Sequence, residues 1–297
     1  MPQKSDDRPD EAPVAQPAPS ASTFIDTGKL RLHCLDYGVD GRQPMLCLHG
    51  GAAHAHWFDF VASGFTPDFH VRSLDLRGHG DSDWADPPTY SFADYASDVA
   101  VIAEKLNLRN FVLVGHSMGG MVSLVYAAAH PGRLSALVIV DTTMYMSEAS
   151  VARLRDMGNR ASRYASREEL VRRYRLLPAG AHAAAPEVIR HIAQHSGRKI
   201  ADEDWRHKFD RGLYSLFERL DGIPLWERVR VPALLVKGAH STRITPSILE
   251  SIRVRAPQVE MVEVPASDHH VTLDNPAGFV AAVRSFLERN QGPGSKP

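Results

Sequence analysis

The feature that most constrains this chain is a sharp, glycine-bounded turn between a buried strand and a helix. Residues Phe111–Val114 are apolar at every position, which is typical of a strand in a parallel sheet covered by helices on both faces. Gly115-His-Ser-Met-Gly119 follows at once, and apolar residues then recur at helical spacing. This order predicts an α/β protein in which Ser117 projects from the turn above the ends of the strands.

Short apolar runs alternate with helical windows along much of the chain, which favours a doubly wound, mostly parallel sheet. The strand candidates are Leu30–Leu35, Met45–Leu48, His70–Leu74, Phe111–Val114, Leu137–Val140, Ala233–Val236 and Val259–Val264. Ser91 and Asp94 form a capping box before one predicted helix, and Pro276 begins another. Between residues 143 and 226 no strand candidate is found, so this stretch is predicted to be a helical cap inserted between two strands.

Both ends of the chain are expected to lie outside the folded unit. Residues 1–22 contain five prolines and too few large apolar side chains to offset chain entropy, and residues 291–297 have a similar composition. We therefore predict a core formed by residues 23–142 and 227–290, a cap at 143–226, and a disordered tail at each end.

The composition limits the partners of the protein. The chain has 34 Lys and Arg against 35 Asp and Glu, so its net charge of −1 excludes a strongly basic nucleic-acid binder. An apolar window of about 18 residues is missing, so no membrane span is expected, and no secretory signal is recognised. Two cysteines, Cys34 and Cys47, are too few for a disulfide scaffold or a cysteine zinc site. We expect a cytoplasmic protein that acts on a small molecule without a cofactor, in an oligomeric state that the sequence leaves open.

A second glycine-rich turn, His49-Gly50-Gly51, follows the strand candidate that ends at Leu48. Because a serine hydroxyl is a weak nucleophile, it needs a base and a pocket of N–H donors for the developing negative charge. The backbone N–H groups of Gly51 and Met118 are predicted to form this oxyanion hole. The candidates for contact with substrate are Gly50, Trp57 and His116, of which Trp57 is either a pocket wall or a core residue.

Together these segments resemble the cap-bearing group of the α/β-hydrolase superfamily over about residues 24–288. The resemblance rests on His49-Gly50 with Trp57 downstream, on Asp75-Leu-Arg-Gly-His-Gly-Asp-Ser82, on the turn at Ser117, and on a histidine segment near residue 269. It implies that Ser117 is the nucleophile of a catalytic triad and that the Asp75–Ser82 stretch is a structural loop.

The same resemblance implies that His269 is the catalytic base, with the adjacent His270 as the alternative. The segment containing His269 follows the last strand candidate, where the family carries its base. This sequence differs from the family's pattern at one position, because Asp268 precedes the histidine where the family usually has glycine.

The acid of the triad is missing from the position that much of the family uses. Residues Lys237–Pro246, after the penultimate strand, contain no Asp or Glu, and Thr242 stands at the expected place. A neutral hydroxyl cannot stabilise an imidazolium as a carboxylate can. Asp141 ends the strand Leu137–Val140, where some branches of the family carry the acid, and we predict it for this role. Its alternative interpretation is a capping or turn aspartate.

The chain has 15 histidines, and His49, His54 and His56 form a local group that resembles part of a zinc site. Only Asp59 is available nearby to complete such a set, so no metal site is predicted. His49 is expected to support the oxyanion loop, and His54 or His56 to line the pocket or face solvent.

The sequence therefore predicts a serine hydrolase with a small carbonyl substrate. The bond cleaved is a carboxylic ester or lactone, or a C–C bond of a ring-cleavage product. Two alternatives stay open: a cofactor-free oxygenase or lyase on the same fold, which would be recognised by oxygen consumption, and a non-catalytic binding protein, in which an active-site-directed phosphonate would not label Ser117.

Overall fold

The computed structural model describes residues 16–158, 163–182 and 184–290. Its strands are β1 (Ala21–Asp26), β2 (Arg31–Asp36), β3 (Gln43–Leu48), β4 (Phe69–Leu74), β5 (Phe111–His116), β6 (Leu134–Val140), β7 (Gly197–Ala201), β8 (Asp204–His207), β9 (Ala233–Gly238) and β10 (Glu260–Val264). Its α-helices are α1 (Asp59–Ala62), α2 (Phe92–Lys105), α3 (Met118–Ala129), α4 (Glu148–Gly158), α5 (Arg167–Arg173), α6 (Pro186–His195), α7 (Gly212–Ser215), α8 (Pro246–Arg255), α9 (Val271–Asp274) and α10 (Pro276–Asn290). Two 3₁₀ helices lie at Ala55–Phe58 and Ile223–Arg228.

Eight strands form one sheet in the order β1-β2-β4-β3-β5-β6-β9-β10. Strand β2 is antiparallel to its neighbours β1 and β4, and every other neighbouring pair is parallel. Parallel strands end at one edge of the sheet, so the turns that follow β3, β5, β6, β9 and β10 meet there. The α/β-hydrolase architecture predicted from the sequence is confirmed.

The sheet is buried on both faces because successive residues of its central strands pack into two different apolar cores. In β3, Leu46 and Leu48 belong to one core, whereas Met45 and Cys47 belong to the other. This two-sided burial explains why the central strands are apolar runs without a polar alternation.

The N-terminal boundary of the folded unit lies earlier than the sequence predicted. Residues 21 and 22, which were expected to belong to a tail, begin β1, which pairs with β2 along the edge of the sheet. In front of that strand, the Ala18 N–H donates to the Asp59 carbonyl oxygen at 2.8 Å. A largely exposed edge strand needs no apolar run, so the sequence carries little signal for it. The predictions for residues 1–15 and 291–297 lie outside the described residues.

The stretch between β6 and β9 contains helices α4 to α7, but it also contains the hairpin of β7 and β8. The prediction of a purely helical segment is therefore wrong at Gly197–His207. Both strands are short and only partly buried, so they need no alternating apolar pattern. The segment that follows the hairpin packs on the core, where the Gly80 N–H donates to the Lys208 carbonyl at 2.7 Å.

Two helix starts agree with the sequence. The side chains of Ser91 and Asp94 form a reciprocal capping box at α2, and α10 begins at Pro276 with Phe279, Val283 and Phe286 buried. Among the described residues, none of the helices has both the length and the apolar character needed to cross a membrane.

Candidate active site

Ser117 lies in a strained turn between β5 and α3. Its backbone angles, φ 52° and ψ −114°, fall where a residue with a side chain is disfavoured. The turn is held by the Ser117 N–H, which donates to the Val140 carbonyl at 2.9 Å. Ser117 stays partly exposed while the strand before it is fully buried, so the hydroxyl is presented at the carboxyl edge of the sheet.

The two glycines that bound this turn are required by close packing. A Cβ at Gly115 would lie 2.3 Å from the Gly119 carbonyl oxygen, and one at Gly119 would lie 2.4 Å from the Leu48 carbonyl oxygen. Real Cβ contacts are longer than this, so any side chain would push α3 away from β3 and β5. The Gly119 N–H also donates to the His49 carbonyl at 3.1 Å, which ties the helix start to the oxyanion loop.

The structure brings together the three residues predicted for the triad. His269 Nε2 lies 3.0 Å from Ser117 Oγ, and His269 Nδ1 lies 2.7 Å from Asp141 Oδ2. With the proton on Nδ1, His269 donates to the carboxylate and accepts from the serine hydroxyl. This tautomer is the one that can take a proton from Ser117.

Asp141 is fully buried, at 0% exposure, and its carboxylate is held by several donors. Besides the His269 ring, the Gly238 N–H donates to Oδ1 at 3.2 Å and the Ser241 hydroxyl donates to Oδ2 at 2.6 Å. The Asp141 N–H donates to the Val236 carbonyl at 2.8 Å, so β9 fixes both the main chain and the side chain of this residue. These donors fix the Asp141 carboxylate in place beside the His269 ring.

Ser241 is a site residue that sequence reasoning missed. It lies in the acid-free segment after β9, beside the exposed Thr242 that stands where the family commonly has its acid. The only sequence signal was a hydroxyl residue in this segment, and such residues are common in loops. The loop after β9 thus contributes a donor to the Asp141 carboxylate.

The predicted oxyanion residues lie side by side. A Cβ built on Gly51 would be 3.7 Å from Met118 Sδ and 3.8 Å from the Tyr214 hydroxyl, so a cap residue reaches this point. Met118 is the first residue of α3, and an amide in that position has no partner inside its own helix. The positive end of the helix dipole also favours negative charge there.

His49 supports this loop through both of its ring nitrogens. With the proton on Nδ1, the ring donates to the Gly50 carbonyl at 2.7 Å, and Nε2 accepts from the Leu76 N–H at 3.1 Å. Burial lowers the pKa of His49, so the ring stays neutral and keeps Nε2 as an acceptor. His49 thus holds the Gly50–Gly51 turn against the Leu76 backbone, and its ring also contacts that of His79, with centroids 5.0 Å apart.

Trp57, His116 and His270 form an aromatic wall beside the triad. Trp57 stacks on His116 with ring centroids 5.7 Å apart, and His270 meets Trp57 edge-on at 5.1 Å. His116 Nε2 donates to the His269 carbonyl at 2.8 Å, so it fixes the loop that carries the base. Burial and the nearby His269 hold the pKa of His116 well below its usual value and lower the pKa of His270 to about 3.

The Asp75–Ser82 stretch is a structural loop, as the resemblance implied, and its side chains bind residues of several other elements. Asp75 accepts from His33 Nδ1 at 2.7 Å and from the Ala55 N–H at 2.6 Å, and Arg77 makes a two-pronged ion pair with Asp98. Although burial opposes ionisation, the hydrogen bond from His33 holds the pKa of Asp75 below its usual range. These contacts connect β2, the 3₁₀ helix at Ala55 and α2, behind the oxyanion loop.

Asp268, which stands where the resembled family usually has glycine, connects the loop of His269 to the segment between β6 and β9. Its carboxylate accepts from the His182 N–H at 2.7 Å. Next to it, His270 Nε2 donates to the Pro178 carbonyl at 3.2 Å, and the rings of His182 and His240 stack at 3.8 Å. The loop of His269 is therefore in direct contact with the cap segment 178–182.

Two histidine groups bring possible metal-ligand atoms within 4.8 Å of one another. One consists of His116, His269 and His270, whose rings already serve the triad and its loop. The other consists of His56 from the core with His191 and His195 from α6. The local trio suggested by the sequence does not converge, because His49 serves its own loop and His54 Nε2 lies 2.9 Å from Ser196 Oγ.

Comparison with known proteins identifies the class. Residues 43–276 match the family described by the alpha/beta hydrolase fold, and the chain belongs to that family. It is 28% identical over 273 residues to 2-(acetamidomethylene)succinate hydrolase of Mesorhizobium japonicum, covering 90% of this chain and 95% of that protein. It is 26% identical over 256 residues to the 3-hydroxybutyrate-oligomer hydrolase of Cupriavidus necator, covering 82% and 87% of the two chains.

A solved structure shows the same fold. The crystal structure of E-2-(acetamidomethylene)succinate hydrolase matches with a TM-score of 0.80 and 24% sequence identity, over 91% of this chain and 99% of that one. Because the family match and the relatives named as hydrolases agree with this fold, the protein is an α/β-hydrolase enzyme.

Proposed function

We propose that the protein is a serine hydrolase that cleaves a small carbonyl substrate through an acyl-enzyme on Ser117. The observation that carries this proposal is the continuous chain of contacts from Ser117 Oγ through both nitrogens of His269 to the buried carboxylate of Asp141. The chain order Ser, Asp, His is that of the α/β-hydrolase triad.

In the first half-reaction, Ser117 Oγ attacks the carbonyl carbon while His269 Nε2 takes the hydroxyl proton. Asp141 stays ionised, holds the ring in the required tautomer and stabilises the imidazolium. The N–H groups of Gly51 and Met118 stabilise the oxyanion of the tetrahedral intermediate. When the intermediate collapses, the bond to the leaving group breaks, and His269 donates its proton to that group.

In the second half-reaction, water replaces the leaving group. His269 Nε2 accepts a proton from the water as its oxygen attacks the acyl carbon, and the bond to Ser117 Oγ then breaks. The proton returns to Ser117, and the product leaves as a carboxylic acid. The enzyme is thereby regenerated without any oxidant, reductant or cofactor.

The substrate we propose is a carboxylic ester or lactone, or a compound with a cleavable C–C bond beside a carbonyl. A small substrate is favoured because the cap reaches the reaction site, with Tyr214 beside Gly51 and the segment 178–182 on the loop of His269. The name of the Mesorhizobium relative contains a further compound, 2-(acetamidomethylene)succinate, which adds an acetamide to the substrates to be tested.

The test combines active-site labelling with a substrate panel. A fluorophosphonate should modify wild-type protein at Ser117, as located by peptide mass spectrometry, and Ser117→Ala should abolish both labelling and turnover. The panel should contain short-chain esters, lactones, ring-cleavage dienoates and 2-(acetamidomethylene)succinate. Oxygen uptake with any of these compounds, or absence of labelling in folded wild-type protein, would contradict the proposal.

A further inference from the structure

A second histidine cluster lies where the cap meets the core, away from the triad. His56 follows the oxyanion loop, whereas His191 and His195 are four residues apart on α6, so both lie on one face of that helix. Each of the three offers a ring nitrogen, and these nitrogens lie within 4.8 Å of one another. The rings of His56 and His195 are stacked, with centroids 3.6 Å apart.

Asp59 orients two of these rings from behind. Its Oδ2 accepts from His56 Nδ1 at 2.9 Å and from His191 Nε2 at 2.6 Å, while the Tyr37 hydroxyl donates to Oδ1 at 2.5 Å. Asp59 is only 3% exposed, so its negative charge is held inside the protein. A carboxylate that accepts from one ring nitrogen leaves the other with its lone pair, which is how metal-binding histidines are commonly held.

A fourth ring, that of His54, borders the cluster. It is 3% exposed, and its centroid lies 5.7 Å from that of His56 and 6.5 Å from that of His195. Its Nε2 lies near Ser196 Oγ, but its Nδ1 is buried without a hydrogen-bond partner in the described structure. His54 thus adds a fourth imidazole beside the cluster, with one ring nitrogen not used by a protein group in the described structure.

From these contacts we propose that His56, His191 and His195 bind a zinc ion that joins the cap to the core. Neutral imidazole is a good zinc ligand, and three imidazoles with a water molecule complete a tetrahedral site. The buried charge of Asp59 would offset part of the charge of the ion. Because imidazole lone pairs lie in the ring plane, the stacked rings of His56 and His195 must turn out of their stack before a nitrogen of each can reach one ion.

This site is independent of the proposed catalytic chemistry. The zinc ion bridges two segments that are distant in sequence, so its binding should hold α6 against the start of α1. A ligand that binds only the folded, docked state raises the thermal stability of the protein.

The test is calorimetric titration of the full-length protein with Zn²⁺ alone, together with thermal melting. Wild type should bind one zinc ion tightly, and its Tm should rise by about 5 °C at saturation. His195→Gln should weaken binding by at least about 100-fold, since even an outer partner of a metal ligand contributes 10- to 100-fold. His191→Gln should do the same, and Asp59→Asn should have a smaller effect.

Two control variants separate this site from other histidines. His240→Gln, an exposed ring that stacks on His182, should leave zinc affinity unchanged. His270→Gln, in the cluster at the triad, should also keep the tight site. The proposal is overturned if wild type binds zinc no more tightly than His195→Gln, or if His270→Gln is the variant that removes binding. Co²⁺ absorption gives a second readout, because its tetrahedral d–d bands should be lost in His195→Gln.

Discussion

At the scale of single residues, the ring of His269 is held by one buried carboxylate. Asp141 reaches His269 Nδ1 at 2.7 Å, and its position is fixed by Gly238 and Ser241 from the neighbouring strand and loop. The carboxylate bonded to the His269 ring thus comes from the residue after β6 and not from the loop after β9. The role proposed for each of these residues follows from the atoms with which it forms hydrogen bonds.

Replacement of Asp141 by asparagine should lower kcat by about 10⁴-fold, because an amide that donates to Nδ1 stabilises the wrong tautomer of the ring. Steady-state turnover of the best substrate from the panel measures this effect. Thr242→Ala is the matched control, since Thr242 is exposed and lies at the position that the family commonly uses for its acid. Turnover of Asp141→Asn within tenfold of wild type would mean that the acid lies elsewhere.

Removal of the Ser241 hydroxyl should have a smaller effect. Ser241→Ala takes away one donor to the Asp141 carboxylate but leaves the Gly238 N–H and the His269 ring in place. A hydrogen bond to a charged group contributes about 1.5–3 kcal/mol, so we expect kcat to fall by about tenfold or more, with KM little changed. A raised KM at unchanged kcat would assign Ser241 to substrate binding instead.

At the scale of elements, the site is produced by the close approach of β3, β5 and α3. The approach is possible because Gly115 and Gly119 have no side chains, and the strained Ser117 then lies at the first turn of α3. The loop between β10 and α9 carries His269 to Ser117. Local sequence specifies each of these turns, and the packing of the sheet brings them together.

Gly119→Ala should destabilise the fold by about 3 kcal/mol or more, because its Cβ would overlap the Leu48 and His49 carbonyls and no flexible side chain can yield. Chemical denaturation monitored by circular dichroism measures the change. Gly51→Ala is the matched control, since its Cβ would meet neighbours at 3.7 Å or more. Equal stability of the two variants would contradict this account of the turn.

The short helix α9, which follows His269 and His270, ends in a carboxyl group whose pKa is altered. Burial, which outweighs the hydrogen bond from the Asp268 N–H, raises the pKa of Asp274 to about 6. Because the pKa of Asp274 is higher in the folded than in the unfolded state, the protonated carboxyl stabilises the folded protein below about pH 4. This contribution to the free energy of unfolding is lost as the pH rises through about 6. Ionised Asp274 therefore makes the folded enzyme less stable at neutral pH.

Asp274→Asn should accordingly gain stability relative to wild type as the pH rises from 5 to 8, by about 1 kcal/mol after allowance for partial exposure. Denaturation curves at several pH values test this, with Asp202→Asn as the control because that side chain is 97% exposed. If the difference in unfolding free energy between Asp274→Asn and wild type did not change with pH, ionisation of Asp274 would not destabilise the folded protein.

At the scale of the whole molecule, the cap and the core are joined at several separate places. Asp268 holds His182 beside the base, Tyr90 donates to Asp210 at 2.5 Å, and Asp59 contacts His191 on α6. These contacts join three separate parts of the segment between β6 and β9 to the core, and the one at Asp268 lies next to His269.

Asp268→Gly, which introduces the residue that the family usually carries, should loosen the cap near the base. The substitution removes the acceptor of the His182 N–H, so amide hydrogen exchange should quicken in the segment 178–182. We expect kcat/KM to change by about three- to tenfold while the fold is retained. Unchanged exchange in that segment would mean that Asp268 does not hold the cap.

The sequence by itself determined the features that depend on neighbours along the chain. The glycine-bounded turn at Ser117, the buried parallel strands and the capping of α2 are local patterns, and each has a physical requirement that few residue types meet. The lack of any Asp or Glu in Lys237–Pro246 is equally a property of the sequence, and it favours Asp141 as the acid.

Tertiary structure alone decided the features built from distant segments. The edge strand β1 and the hairpin of β7 and β8 carry weak local signals, because exposed strands need no apolar run. The contact of Ser241 with Asp141 and the cluster of His56, His191 and His195 join residues about 100 positions or more apart. Such contacts depend on how the sheet and the cap pack, and no pattern within one segment specifies that packing.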